Sequence, residues 1–144
     1  MKKKHFKWVL VIAWMVIIFM FSSQPATVSD GNSHLVIKFL KYIGADLDSV
    51  FGTLANFVVR KSAHFTEYCI FYLLLFNAFR ESYSLKQALI LSIVGVFLYA
   101  STDELHQLFV PGREGRFRDV LIDTSGGCLG LIICYISSFR KKNR

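Results

Sequence analysis

The sequence predicts an all-α integral membrane bundle of four transmembrane helices. One or two short amphipathic helices are expected in the outer loop between spans one and two. Three observations lead there. The 144 residues are 53% hydrophobic and only 19% charged, with a mean hydropathy of +0.44. The apolar residues gather into runs, and about 20 helical residues cross a hydrocarbon core of about 30 Å. The net charge of +7 sits at the two termini and in a few loops that flank those runs. The length suits one domain, residues 1–144. The 14 Phe and the long aliphatic runs exclude disorder and collagen. The basic excess lacks an interleaved aromatic surface, so no nucleic-acid partner is expected.

The first span, about 8–24, follows Met-Lys-Lys-Lys-His-Phe-Lys. A signal peptide starts in the same way. The lack of a clear A-x-A site, the recurring aromatic residues and the uncharged continuation to Ser29 favour a retained helix. In the long connection, Ser29-Asp30 can start a helix and Gly44 can end it. Between them Leu35, Val36, Phe39, Leu40 and Ile43 keep helical spacing, as in a helix lying on a membrane surface. Asp46 to Ser49 can cap a second helix carrying Phe51, Leu54, Phe57 and Val58. The remaining spans are expected at about 61–80, 85–105 and 119–139. Too little amphipathic helix remains to cover these runs in a soluble bundle. Cys69, Cys128 and Cys134 lie within apolar stretches without zinc or redox spacing, and read as packing residues.

Four spans put both termini on one side, and the basic blocks at each end make that side cytoplasmic. The inner segments then hold Lys2, Lys3, Lys4, Lys7, Arg80, Lys86, Arg140, Lys141, Lys142 and Arg144 against Glu81 alone, a charge of +9. The outer segments carry seven basic residues and nine acids, a charge of −2.

Antiparallel spans also bring the unusual polar residues to one end. Glu67 and His64 lie 13 and 16 positions from Arg80, which at about 1.5 Å per residue is roughly 20 and 24 Å up. Asp103 is 17 positions from Lys86 and Asp123 is 17 from Arg140, each roughly 26 Å up. Ionisable groups at that depth are costly unless they pair, face water or serve a function. Faces agree as well. Lys61, His64 and Tyr68 share a stripe; Tyr99, Asp103 and Gln107 are spaced by four, as are Asp119, Asp123 and Gly127. Gly126-x-x-x-Gly130 is a close-packing pattern for membrane helices. Pro111-Gly112 signals a turn. After it, Arg113, Arg116 and Arg118 supply guanidinium forks suited to phosphate or carboxylate.

Several segments together resemble one family. They are Arg60-Lys61-Ser-Ala-His64-Phe-Thr-Glu67-Tyr68, then Asp103-Glu104-Leu-His-Gln107-Leu-Phe-Val-Pro111-Gly112-Arg113, then Asp119-Val-Leu-Ile-Asp123-Thr-Ser-Gly126-Gly127. An early Phe-Ser-Ser-Gln-Pro fits too. The chain resembles the VanZ-like family of bacterial membrane proteins along nearly its whole length. Asp123 departs from the Asn that this resemblance implies. The resemblance implies a multi-pass protein of the cell membrane and cell envelope. The family's founding member is linked to teicoplanin resistance.

Three readings of the polar residues follow. In the first, the protein is an enzyme acting on a lipid-linked or anionic envelope substrate. His64, Glu67, Asp103, Glu104, Asp119 and Asp123 are then the candidate catalytic groups. Lys61, Tyr68, Gln107, Arg113 and Arg116 bind the substrate. In the second, the same residues form a non-catalytic pocket for a lipid, a lipid-linked cell-wall precursor or a glycopeptide. In the third, the charges only pair, Glu67 with Arg113 or Lys61 and Asp103 or Asp119 with Arg116. His106 and Glu114 read as solvated rim groups. His64, Glu67 and Asp103 offer metal donors. However, H-x-x-E recurs by chance and no second pair fixes a geometry, so no metal and no cofactor is assigned. Membrane lipids are expected partners.

Overall fold

A computed structural model of the chain describes residues 2–142. Arg144, counted above among the C-terminal basic residues, lies outside them, as do the side chains of Lys2, Lys141 and Lys142. The described residues form helices α1 (Lys2–Ser22), α2 (Ala26–Tyr42), α3 (Leu47–Phe51), α4 (Ala55–Phe79), α5 (Leu85–Gln107) and α6 (Phe117–Lys142). A 3-10 turn, Gly52–Leu54, joins α3 to α4. No strand occurs among the described residues.

Among these helices three are long and apolar enough to cross a membrane: 3–22 within α1, all of α5, and 117–140 within α6. The expected second span is not one of them. Its helix, α4, starts at Ala55 and carries Arg60, Lys61, His64 and Glu67 in its first half. Those residues dilute the apolar run that follows. They are tolerated because α4 is central and touches α1, α2, α5 and α6. Tyr68, Phe71, Tyr72, Leu75 and Ala78 bury its lower half against Val11, Ile18, Val96, Ala100 and Cys134.

Each boundary has a local cause. Ser84 and Gln87 form a reciprocal capping box at the start of α5, which satisfies the first free amides of that helix. The surface helix α2 begins earlier than expected. Pro25, at φ −53°, supplies the entry instead of Ser29-Asp30. The helix stops before Gly44, whose φ of 96° suits a residue without a side chain. Asp46 caps α3 by accepting from the Ser49 amide at 3.2 Å. The Asp46 carboxyl is held below its ordinary value, chiefly by the Lys41 ammonium.

The bundle alternates in direction. Lys7 pairs with Glu81 at the end where α4 turns into α5. At the other end Ser23, just past α1, meets His106 near the end of α5 at 3.1 Å. α1 is tied to the rest along its length. Trp14 Nε1 donates to the Glu67 carbonyl at 2.9 Å, and the Tyr99 hydroxyl donates to the Met15 carbonyl at 2.7 Å.

Glycines bring α6 against its neighbours. A Cβ at Gly126 would run into the Phe65 carbonyl of α4, and one at Gly130 would sit 2.9 Å from the Tyr72 ring. Gly127 faces α5 instead, with Val96 Cγ1 2.7 Å from a Cβ there. The Gly126-x-x-x-Gly130 spacing therefore serves the α4–α6 contact, and Gly127 serves α5–α6.

Candidate functional site

Four helix segments meet at the Ser23–His106 end. The buried stripe of α5 runs Ala88, Ser92, Val96, Ala100 and then Asp103 and Gln107. Small residues below allow close packing, and the same face turns polar at the top. On α6 the corresponding face carries Asp119 and Asp123 above Gly126 and Gly127. On α4 it carries His64 and Tyr68.

These faces bring His64, Asp103 and Asp123 together. One donor atom from each lies within 4.8 Å of the others. All three side chains are buried, Asp123 to 1% exposure and Asp103 to 3%. Several of their atoms have no hydrogen-bond partner among the described residues: His64 Nδ1, Asp103 Oδ1 and Asp123 Oδ2. The fully buried Tyr68 hydroxyl is in the same condition. The second Asp103 oxygen accepts from Gln107 Nε2 at 3.3 Å, and Gln107 also donates to Ser22 Oγ at 2.8 Å. Unsatisfied polar groups buried together are expensive, so the arrangement calls for an explanation.

Glu67 is the group that opens toward space. Its Oε2 lies 3.9 Å from His64 Nδ1, too long for a hydrogen bond. It lines two adjoining cavities. One, of about 210 Å³, lies between α1, α2 and α4 and is lined also by His64, Arg60, Arg113 and Gln24. The other, of about 570 Å³, is an apolar groove lined by Trp14, Val36, Leu40, Val58 and Ile70 among others. The two share Val36, Val59 and Ala63 as well as Glu67. A third cavity, of about 280 Å³, is the basic mouth, where Arg60, Lys61, Arg113, Arg116 and Arg118 outnumber Asp30, Glu114 and Asp119. It shares Arg60 and Arg113 with the first.

The remaining candidates have defined surroundings. Lys61 pairs with Asp119 at 2.7 Å, and both side chains are largely buried. Arg118 approaches the other Asp119 oxygen at 3.8 Å and lies over the Phe57 ring. Arg113 donates through Nε to the Gln24 carbonyl at 3.0 Å and through Nη2 to the Phe21 carbonyl at 3.1 Å. It thereby pins the loop to the end of α1. Burial, with Arg60 alongside, pulls its guanidinium below the ordinary arginine value; Asp103, Glu104 and Asp30 oppose this. Glu104 is buried, and its Oε2 accepts from the Arg116 backbone amide at 3.0 Å. It organises the loop and lines none of these three cavities, facing instead a separate one between α5 and the start of α6. The exposed Arg116 side chain pairs with Glu114.

Three expectations are corrected. None of the four pairings anticipated for Glu67, Asp103 and Asp119 is an ion pair in this structure; Lys61 with Asp119 is the buried pair. His106 is not a solvated rim group, because its ring packs on Phe19 with centroids 4.6 Å apart. Tyr68 sits behind the cavities at 0% exposure and cannot touch a ligand directly.

Sequence reasoning missed Ser22, Gln24 and Arg60 as parts of this end. Their signal was present. A polar Ser-Ser-Gln follows the first apolar run, and Arg60 precedes Lys61 by one position on the central helix.

The fold and the site together define a helical membrane protein with a polar chamber at one end of its bundle. The chain belongs to the VanZ/LLP1 family, whose profile matches residues 6–138. No curated protein and no solved structure gives a significant match.

Proposed function

We propose that this is a four-span protein of the bacterial cell membrane that acts on the anionic head group of a lipid-linked envelope compound at its outer face. α4 is the additional span, shielded by its neighbours. Both termini are cytoplasmic, since Lys3, Lys4, Lys7, Lys86 and Arg140 crowd one end of the bundle.

The observation that carries the reading is the continuity of the three cavities. The apolar groove suits an acyl or polyprenyl chain entering sideways from the bilayer. It leads to Glu67 and His64, and from there to the basic mouth. Arg118, more than half exposed, is the cation best placed to take the head-group charge, with Arg60, which pairs with Asp30 at 3.2 Å, beside it. Arg113, held by two backbone carbonyls, sets the mouth's shape. Glu67, at the junction, is the candidate general base, with His64 behind it. Asp119 holds Lys61 and Asp103 holds Gln107, whereas Asp123 lies buried behind them.

One observation favours a non-catalytic pocket. Lys61 and Arg113 already have internal partners, as structural ion pairs and loop anchors do. A ligand pocket for a lipid or a glycopeptide would need no reaction. An effect on teicoplanin susceptibility is compatible with either form.

The experiment is incubation of the purified chain with phosphorus-radiolabelled envelope lipids in vesicles. Product formation that disappears in Glu67→Gln supports the enzyme. Retention without product supports the binder. Neither retention nor product, in a folded protein, overturns both.

A further inference from the structure

We infer that His64, Asp103 and Asp123 hold a divalent first-row metal ion. The inference rests on the polar chamber described above and adds to it a cation and a ligand set.

Geometry comes first. One donor atom from each of the three side chains lies within 4.8 Å of the others. Donors about 2.0–2.2 Å from a tetrahedral metal stand about 3.3–3.6 Å apart, so the arms must close by roughly an ångström. Side-chain rotation alone covers that distance. The three residues come from α4, α5 and α6, and their backbones are fixed by the glycine contacts below.

Unused valence is the second and independent observation. Asp123 is 1% exposed and its Oδ2 has no partner among the described residues. Asp103 Oδ1 and His64 Nδ1 are likewise unpartnered. The Tyr68 hydroxyl, at 0% exposure, is also unpartnered. A buried carboxylate either keeps a proton or takes a counter-charge. Among the described residues, Lys61 is spent on Asp119, and Arg113 on Gln24 and Phe21. No side-chain cation makes an ion pair with Asp103 or Asp123 among the described residues. A metal ion supplies the missing charge.

The donor chemistry selects the class of metal. One imidazole and two carboxylates suit Zn²⁺ or Mn²⁺, whereas a soft metal would ask for thiolate. Three protein ligands leave a coordination position open, which is the pattern of a working rather than a purely structural site.

The test reads metal rather than turnover. The full chain is purified in detergent without chelator and its metal content measured. The expected result is one zinc or manganese ion per chain, lost in His64→Ala and Asp123→Ala and kept in Glu81→Gln. After chelation, Zn²⁺ or Mn²⁺ added alone should raise the melting temperature, and Mg²⁺ should do so less. Should the alanine variants fail to fold, wild-type chain loaded with Mn²⁺ is examined by pulsed electron paramagnetic resonance. An imidazole nitrogen coupling is then expected. Metal-free wild type that neither ion stabilises overturns the inference. So does metal retained in folded His64→Ala, or bound Mn²⁺ without nitrogen coupling. Metal bound without lipid processing leaves the inference standing and removes the enzyme. Processing by metal-free chain does the reverse.

Discussion

Gly126→Ala tests the link between packing and site. A Cβ at this position meets the Phe65 backbone, with the carbonyl carbon at 2.9 Å and Cα at 3.2 Å. Carbon atoms are comfortable at about 3.5–4.0 Å and the carbonyl oxygen lies nearer still, so α4 and α6 must part by roughly 1 Å. The obstacle is backbone, which cannot rotate away. Overpacking of this kind costs about 1–3 kcal/mol, and the rigid obstacle points to the upper end. Alanine recovers about 1 kcal/mol of helix propensity, leaving a net loss of about 2 kcal/mol. At about 2–4 °C per kcal/mol, the melting temperature should fall by about 4–8 °C. Gly31→Ala is the control, since nothing lies within 4 Å of a Cβ there. It should match or exceed the wild type. The assay is thermal denaturation of detergent-purified protein, followed by helical circular dichroism. Phe65 adjoins His64 in sequence, and Gly126 lies one turn below Asp123. The same separation should therefore draw His64 from Asp123 and lower whatever the chamber binds. A Gly126→Ala protein as stable as the wild type, with its binding intact, would refute the close approach of α4 and α6 as the device that builds the site.

Other expectations follow from single contacts. Lys61→Ala leaves Asp119 buried without its main partner and should cost about 3 kcal/mol, whereas a Lys61→Met, Asp119→Leu pair should cost much less; chemical denaturation of the three proteins compares them. Tyr99→Phe removes the hydroxyl's bond to the Met15 carbonyl and should destabilise by about 0.6 kcal/mol, measurable as a small shift in melting temperature. Arg113→Lys cannot span both the Gln24 and Phe21 carbonyls, so hydrogen exchange should rise in the loop at 108–116 while α5 and α6 stay protected. The Asp46 carboxyl is lowered by Lys41 and the Ser49 amide, so its cap on α3 is complete above the ordinary aspartate range. The cap is lost as pH falls through the lowered value, and faster exchange of the Ser49 amide at acid pH reports this.

The apolar runs made α1, α5 and α6 readable, because a sustained run has few alternatives. The convergence of His64, Asp103 and Asp123 was readable too. It needs only a fixed rise per residue and alternating helix direction. Partner choice was not readable. At one depth Asp103, Asp119 and Asp123 are equivalent to Lys61 until the packing of α4 on α6 selects Asp119. The start of α4 was hidden for a related reason. Phe57 and Val58 read as part of a short outer helix with Arg60 and Lys61 beyond it, and only the structure shows one helix running unbroken from Ala55 through the span. The role of Glu104 depended on where the chain turns after Gly112. At a φ of 72° that turn brings the Arg116 amide to the carboxylate.

Fold and site share their determinants in this chain. Lipid tails give helices little reason to associate, so contact relies on small residues that let backbones approach. Gly126 and Gly130 provide this between α6 and α4, and Gly127, Ala88, Ser92 and Ala100 provide it along α5. Helices drawn together that closely leave little room for water beside Asp103 and Asp123. His64, Asp103 and Asp123 are thus excluded from solvent by the contacts that make the bundle cohere. Any charge they carry must be met inside the protein. Lys61 could do so only by leaving Asp119, and Arg113 only by releasing the loop from α1. The economical solution is a small cation entering through the cleft at Glu67, which neutralises the cluster without disturbing either pairing.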